Sequence, residues 1–315
     1  MDVNNTASRA RTRAHASVGA ATVALSDVHV RYRVPSSDKR ERSRGPRLKV
    51  AAQRILGAKP EVLVRALSGI SLLARSGESI GVIGRNGSGK STMLRIIAGL
   101  EPPSRGTVLA ESTPVLLGVN AALLPDLSGA DNVRIGLLAM GKQPSEVENL
   151  FPEVIELAGI GKSIHLPMKT YSSGMGSRLR FAIAAAAAPD ILLIDEALAT
   201  GDAAFRERSE QKMTDLRQGA GTVFLVSHAA QTVEEICTRA IWLHQGRIVM
   251  DGPAIETAQK YRWWSWKLAQ GEPLKAAKLL RTAIEERRVS KVDVIDRHSD
   301  DPRTPRHARR RSWFV

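Results

Sequence analysis

The chain has 315 residues, a single cysteine (Cys237) and a formal net charge of +14. That length can bury a substantial core, and one cysteine excludes a disulfide framework, so a reducing compartment is the default. Residues 1–65 carry 14 Lys and Arg against 5 Asp and Glu, and 272–315 carry 12 against 7, whereas 66–271 balance at 20 against 20. The body is therefore neutral and the excess sits in two flanks, which suit nucleic acid, an anionic membrane surface or plain solvation.

No stretch approaches the ~20 apolar residues of a membrane span. The nearest, Phe181 to Ala188, stops at Pro189. The N-terminus lacks an apolar signal core, and the chain reads as soluble or peripheral.

Residues 1–20 are rich in Ala, Arg, Ser and Asn and predict disorder. Ala21–Leu25 and then Val28–Arg33 alternate as two half-buried strands. A basic insertion follows over 34–65, with a breaker-rich loop to residue 46 and a short amphipathic helix carrying Leu48, Ala51, Ala52, Ile55 and Leu56. Strand character resumes over Leu67–Leu73, and Ser76-Gly77-Glu78 turns into the apolar run Ser79–Ile83.

Gly84-Arg85-Asn86-Gly87-Ser88-Gly89-Lys90-Ser91-Thr92 comes next and matches G-x-x-x-x-G-K-[ST] between a strand and the helical pattern Met93–Ala98. In that context the motif is a phosphate-binding loop. Its glycines let backbone N–H groups converge on an anion, and the helix adds its positive end. Lys90 is placed for the β- and γ-phosphates, and Ser91 for Mg²⁺.

Further on, a turn cluster at 99–106 leads to the strand Thr107–Leu109, and 113–119 is another apolar segment. Residues 129–171 read as helical, broken at 141–144 and 159–161, and an alanine-rich helix runs from Arg178 to Ala188. Ile191–Ile194 is a strand buried on both faces. A helix over 203–218, a strand at Thr222–Val226 and a helix over 230–239 follow. The strands Ile241–His244 and Arg247–Met250 then flank Gln245-Gly246 as a hairpin.

Four further features, three downstream and one upstream, fit the phosphate loop. Asp195 and Glu196 end a buried strand, one suited to Mg²⁺ and the other to orienting or deprotonating a water. Tyr171-Ser172-Ser173-Gly174-Met175 opens the helix expected at Arg178, where Ser172 and Gly174 make either an anion nest or a simple helix cap. His228 follows a strand and can touch a γ-phosphate. Tyr32 can stack on an adenine or serve as an ordinary edge tyrosine.

Together these residues resemble the ATP-binding subunit of ABC transporters over roughly 22–262. The loop is similar to the Walker A motif, Asp195-Glu196 to the end of Walker B and His228 to the switch histidine. Ser172 and Gly174 match the signature motif, and Ala199-Thr200-Gly201-Asp202 matches the D-loop. The resemblance implies an α/β P-loop ATPase domain over 21–262, with a RecA-like core, an antiparallel β subdomain and a helical subdomain at 129–188. It also implies ATP and Mg²⁺, with Glu196, His228 and Lys90 catalytic, Ser91 and Asp195 on the metal, and Tyr32, residues 84–92, Ser172 and Gly174 on the nucleotide. The arrangement implied is a head-to-tail homodimer whose stroke passes to a separate integral-membrane permease, placing the chain at the cytoplasmic side of the membrane.

The signature, the segment Asp195–Asp202, the basic insertion and Pro125-Asp126-Leu127-Ser128-Gly129-Ala130-Asp131-Asn132 look like the exporters of lipid-linked polysaccharides. This resemblance implies a glycan cargo and no nucleic-acid partner. One departure stands out. No glutamine lies between Ser91 and Lys142, so the usual Q-loop metal ligand is missing and Asn120 is a weak substitute. About 50 residues after Tyr261 leave no room for a carbohydrate-binding β-sandwich, so glycan selection by this subunit is not expected.

The extension 263–315 is basic and partly helical. Trp263, Trp264 and Trp266 beside basic residues suit a membrane interface, a partner groove or packing on their own domain. Residues 274–288 form a helix with Leu274, Ala277, Leu280 or Arg281, and Ile284 on one face. Arg303–Arg311 holds five arginines able to meet anionic lipid. The alternative reading is a soluble ABC-type ATPase that grips ribosome or nucleic acid through its flanks. Such relatives usually carry two ATPase bodies or a long coiled coil, and neither occurs here.

Overall fold

The computed structural model describes residues 19–35, 61–117, 123–195, 203–227, 229–286 and 292. The N-terminal segment to 18, the short helix expected near 48–56, Asn120, Glu196, the segment 199–202, His228 and the arginine tail lie outside the described residues.

The centre is a six-stranded sheet of order β5-β6-β7-β3-β8-β9. It comprises β3 (Glu78–Ile83), β5 (Val115–Leu116), β6 (Ile191–Asp195), β7 (Thr222–Val226), β8 (Arg239–His244) and β9 (Arg247–Pro253). All neighbours are parallel except the β8–β9 hairpin. Its inner strands β6 and β7 read as nearly unbroken apolar runs because both faces are covered. Ile191 and Leu193 join one buried cluster, while Leu192 and Ile194 join the other.

One face packs on α1 (Lys90–Ile97), through Met93, Leu94, Ile96 and Ile97, and on a three-stranded antiparallel sheet of order β2-β1-β4. That sheet contains β1 (Ala21–Pro35), β2 (Glu61–Arg75) and β4 (Arg105–Ala110). The opposite face carries α2 (Gly129–Ala139), α3 (Pro144–Ala158), α4 (Ser173–Ala186), α5 (Ala203–Gly219), α6 (Ala230–Ile236), α7 (Ala254–Ala269) and α8 (Pro273–Glu285).

The structure corrects several expected boundaries. The two N-terminal strands are one, kinked by an irregularity between Leu25 and Val28 where Asp27 takes φ 46° and its N–H donates to Ser71 Oγ at 3.0 Å. Residues 61–65 belong to β2 and pair with Arg31–Pro35, so the insertion is shorter than 34–65 at both ends. Helix α4 starts five residues before Arg178 because Ser172 caps it, accepting the Met175 N–H at 3.2 Å. Helix α6 ends at Ile236. Arg239 is needed in β8, where its guanidinium grips Asp251 at 2.6 and 2.7 Å and Glu78 at 3.1 Å.

The boundary expected at 262 falls inside α7. The tryptophan cluster there splits by helical phase. Trp264 is buried against Trp242, Tyr261 and His244, with ring centroids 5.2 to 5.8 Å apart, whereas Trp263 and Trp266 face outward. Helix α8 buries Ala276 and Ala283; of the expected stripe Leu280 packs, partly buried, on the core, while Leu274, Ala277 and Ile284 are exposed. The two alanines present small side chains to the core.

Candidate nucleotide-binding site

The loop Gly84–Gly89 leaves the C-terminal end of central strand β3 and enters α1. In open parallel sheets that end is where ligands bind. Two of its glycines are demanded by geometry. Gly84 has φ 154°, and a Cβ there would overlap the Leu243 carbonyl and the Ser88 hydroxyl. Gly89 has φ 105° and lies so close to β2 that a Cβ would come within 2.6 Å of the Ala66 carbonyl oxygen.

Gly89 is also the N-cap of α1 and provides no side-chain acceptor. The N–H groups of Lys90, Ser91 and Thr92 therefore open the helix without a carbonyl partner inside it. Lys90 is buried, and its Nζ donates to the loop's own carbonyls, Gly84 at 2.7 Å and Arg85 at 3.3 Å. Burial pushes the ammonium below its usual pKa, and the Asp195 carboxylate pushes it back up. Ser88 Oγ is buried with no hydrogen-bond partner among the described residues.

Asp195 reaches the same place from the end of β6, two strands away. Ser91 Oγ donates to its Oδ2 at 3.0 Å. An uncapped helix start, a buried cation and an orphan hydroxyl all fit a polyphosphate. The Ser91 hydroxyl beside the Asp195 carboxylate is an oxygen pair that fits a hard divalent cation such as Mg²⁺.

The family profile of the ABC transporter matches residues 67–199. The chain is 42% identical over 197 residues to the O-antigen export system ATP-binding protein RfbE of Yersinia enterocolitica, covering 62% of this chain and 82% of that one. The chain belongs to the ABC transporter ATP-binding family.

It is also 43% identical over 196 residues to the teichoic acids export ATP-binding protein TagH of Listeria monocytogenes, covering 58% of that protein. With the Bacillus anthracis protein of the same name it shares 41% identity over 36% of that length. The chain thus spans roughly a third to a little over half of these longer relatives. Solved cassettes share the fold. A dimeric ATP-binding cassette in a post-hydrolysis state bound to ADP and Pi aligns at TM-score 0.55 and 21% identity, over 74% of this chain and 98% of that one. An ATP-binding subunit of an ABC transporter aligns at TM-score 0.57 and 19% identity, over 84% of this chain and all of the other.

The cassette holds the remaining expected residues at different distances from the loop. Tyr32, on β1, is half-buried; its hydroxyl donates to Glu101 Oε2 at 2.5 Å and is bonded by Thr92 of the loop helix. Burial, and then the Glu101 contact, raises the phenol above its usual pKa. Glu101 also pairs with Arg95 at 2.7 Å, so Tyr32 is fastened to α1. Ser172 and Gly174 sit at the exposed start of α4 in the helical layer, and no hydrogen bond among the described residues joins them to the phosphate loop. Among the described residues a Cβ at Gly174 would meet only Ser172 Oγ, at 3.9 Å, so none of them requires glycine there.

Sequence reasoning missed the residues that brace the loop from outside. The Gly246 N–H donates to the Ser88 carbonyl at 2.9 Å, and the Gly246 carbonyl accepts from Ser68 at 2.8 Å. Arg85 and Asn86 form one wall of a cleft of about 440 Å³, and His244, Gln245 and Tyr261 form the other. The hairpin turn at 245–246 was readable, but only the pairing of β3 with β8 brings it beside the loop.

Proposed function

We propose that this chain is the ATP-hydrolysing subunit of an exporter that moves a lipid-linked polysaccharide across the cytoplasmic membrane. The single observation that carries the ATPase half is the Ser91–Asp195 hydrogen bond beside the buried Lys90 ammonium. The cargo is suggested by relatives named for O-antigen and teichoic acid export.

In this reading the backbone of Gly84–Thr92 binds the phosphates of ATP, with the buried Ser88 hydroxyl among the phosphate-facing donors and Arg85 and Asn86 shaping the loop's outer side. Lys90 places a desolvated positive charge against the β- and γ-phosphates, where it is worth more than in water. Ser91 and Asp195 would hold Mg²⁺, which when bound neutralises charge shared between those phosphates. Glu196 orients or deprotonates the attacking water, and His228 contacts the γ-phosphate. Tyr32 lies against the base. The Q-loop position has no glutamine, so the metal depends more heavily on Ser91 and Asp195.

Ser172 and Gly174 act on the nucleotide of a second copy. The open space over Gly174 and the exposed start of α4 favour an approach from outside this chain. A single ATPase body then works as an isologous dimer with two shared sites. A permease chain receives the stroke at the cytoplasmic face, and no described helix is itself long and apolar enough to cross a membrane.

Two measurements test the proposal. Glu196→Gln should trap an ATP-dependent dimer on size-exclusion chromatography, and normal turnover in that variant would remove Glu196 from its role. Tagged protein extracted from membranes should bring down a polytopic permease; its recovery alone, with no Mg·ATP binding, would overturn the reading.

A further inference from the structure

Beyond Arg105, where β4 begins, β1 and β2 continue as a two-stranded ribbon that keeps one further bond on that side, from the Arg31 N–H to Ser104 Oγ at 3.0 Å. The β1–β4 pairing stops at His29 with Arg105, whereas β1–β2 pairing runs on through Arg31–Arg65, Tyr32–Val64, Arg33–Leu63 and Val34–Val62. Because side chains alternate, Arg31, Arg65, Arg33 and Leu63 share one face of this ribbon. All four are exposed, and none of the three arginines pairs with a described acid. Glu61, at the far end opposite Pro35, is the only acidic residue in the two ribbon segments.

Arg31 and Arg65 are directly opposite each other, an arrangement that destabilises a strand pair when no counter-ion is present. Protection of an edge strand explains one charge but not like charges set face to face. We propose that this arginine face is a docking surface for the phosphate headgroups of anionic phospholipid, turning the ribbon towards the bilayer. Leu63, half exposed between the arginines, favours a bilayer over nucleic acid, since a lipid interface accommodates an apolar side chain beside cationic ones. The inference rests on the membrane-side placement proposed above and adds the contact that the subunit itself makes.

The test uses the full chain and mixed phosphatidylcholine–phosphatidylglycerol vesicles. Arg31→Gln/Arg33→Gln/Arg65→Gln should weaken vesicle binding about a hundredfold, at about 1 kcal/mol per basic residue near anionic lipid. Binding of Mg·ATP should stay intact. Arg309→Gln/Arg310→Gln/Arg311→Gln removes the same charge from the tail and should lose far less. Equal losses in the two variants, or wild-type binding by the ribbon variant, would overturn the inference. So would loss of duplex-oligonucleotide binding with vesicle binding unchanged. Arg65→Gln alone relieves the repulsion with Arg31 and should raise the melting temperature while lowering vesicle binding about fivefold. Protein that binds Mg·ATP and dimerises yet ignores vesicles sinks this inference alone; protein that fails those two steps sinks the ATPase reading.

Discussion

The Ser91 hydroxyl donates a 3.0 Å hydrogen bond to Asp195 Oδ2, tying the first turn of α1 to the end of β6 across 104 positions of sequence. The pair is exposed, so its own contribution to stability is about 1 kcal/mol or less. Asp195→Asn should therefore leave the melting temperature nearly unchanged. Titration calorimetry with ATP should show affinity in the presence of Mg²⁺ falling tenfold or more, with metal-free binding barely altered. Equal losses with and without Mg²⁺ would take Asp195 off the metal.

Gly246 holds the phosphate loop from behind. Its φ is 73°, and a Cβ would sit 2.6 Å from the Ala66 carbonyl oxygen. Gly246→Ala combines a backbone conformation that L-residues disfavour with a clash against backbone that cannot swing aside. We expect a loss of about 1–3 kcal/mol in urea unfolding and weaker nucleotide binding, because shifting the turn would strain the 2.9 Å bond to the Ser88 carbonyl. A variant as stable as wild type would show that the turn yields.

His244 gives the fold a pH dependence. Burial, and then the nearby Arg85 guanidinium, holds its imidazole below the ordinary value of 6.5. As pH falls through that value the unfolded chain takes up the proton before the folded one, so stability is lost on acidification. The contribution is fully present above about pH 6.5 and declines as pH drops towards the folded value. His244→Gln should flatten the decline in stability between about pH 7 and pH 5, read from denaturant midpoints across that range. An unchanged slope would assign the dependence to other groups.

The tryptophans of α7 differ sharply in what they support. Trp264 is 3% exposed and Trp263 is 62% exposed. Removing the first leaves a cavity beside Trp242 and Tyr261, and Trp264→Ala should cost about 3–5 kcal/mol. Trp263→Ala should change stability by no more than about 0.5 kcal/mol. Comparable losses in chemical denaturation would mean that both rings are structural.

Much of this molecule is written locally. The phosphate loop, the strand ending at Asp195, the hairpin around Gln245-Gly246 and the strand Thr222–Val226 each declare themselves within a dozen residues, because backbone curl, double-sided burial and tight turning impose short-range patterns. What lay beyond local pattern was adjacency. Nothing near Gly246 says that it bonds the Ser88 carbonyl, and nothing near Trp264, as against Trp263, says which ring enters the core. Those outcomes depend on strand order and helix phase, which are settled when distant apolar faces bury one another. The start of α4 was misplaced for the same kind of reason. A serine such as Ser172 serves equally as turn or cap until the N–H of Met175 is brought to it.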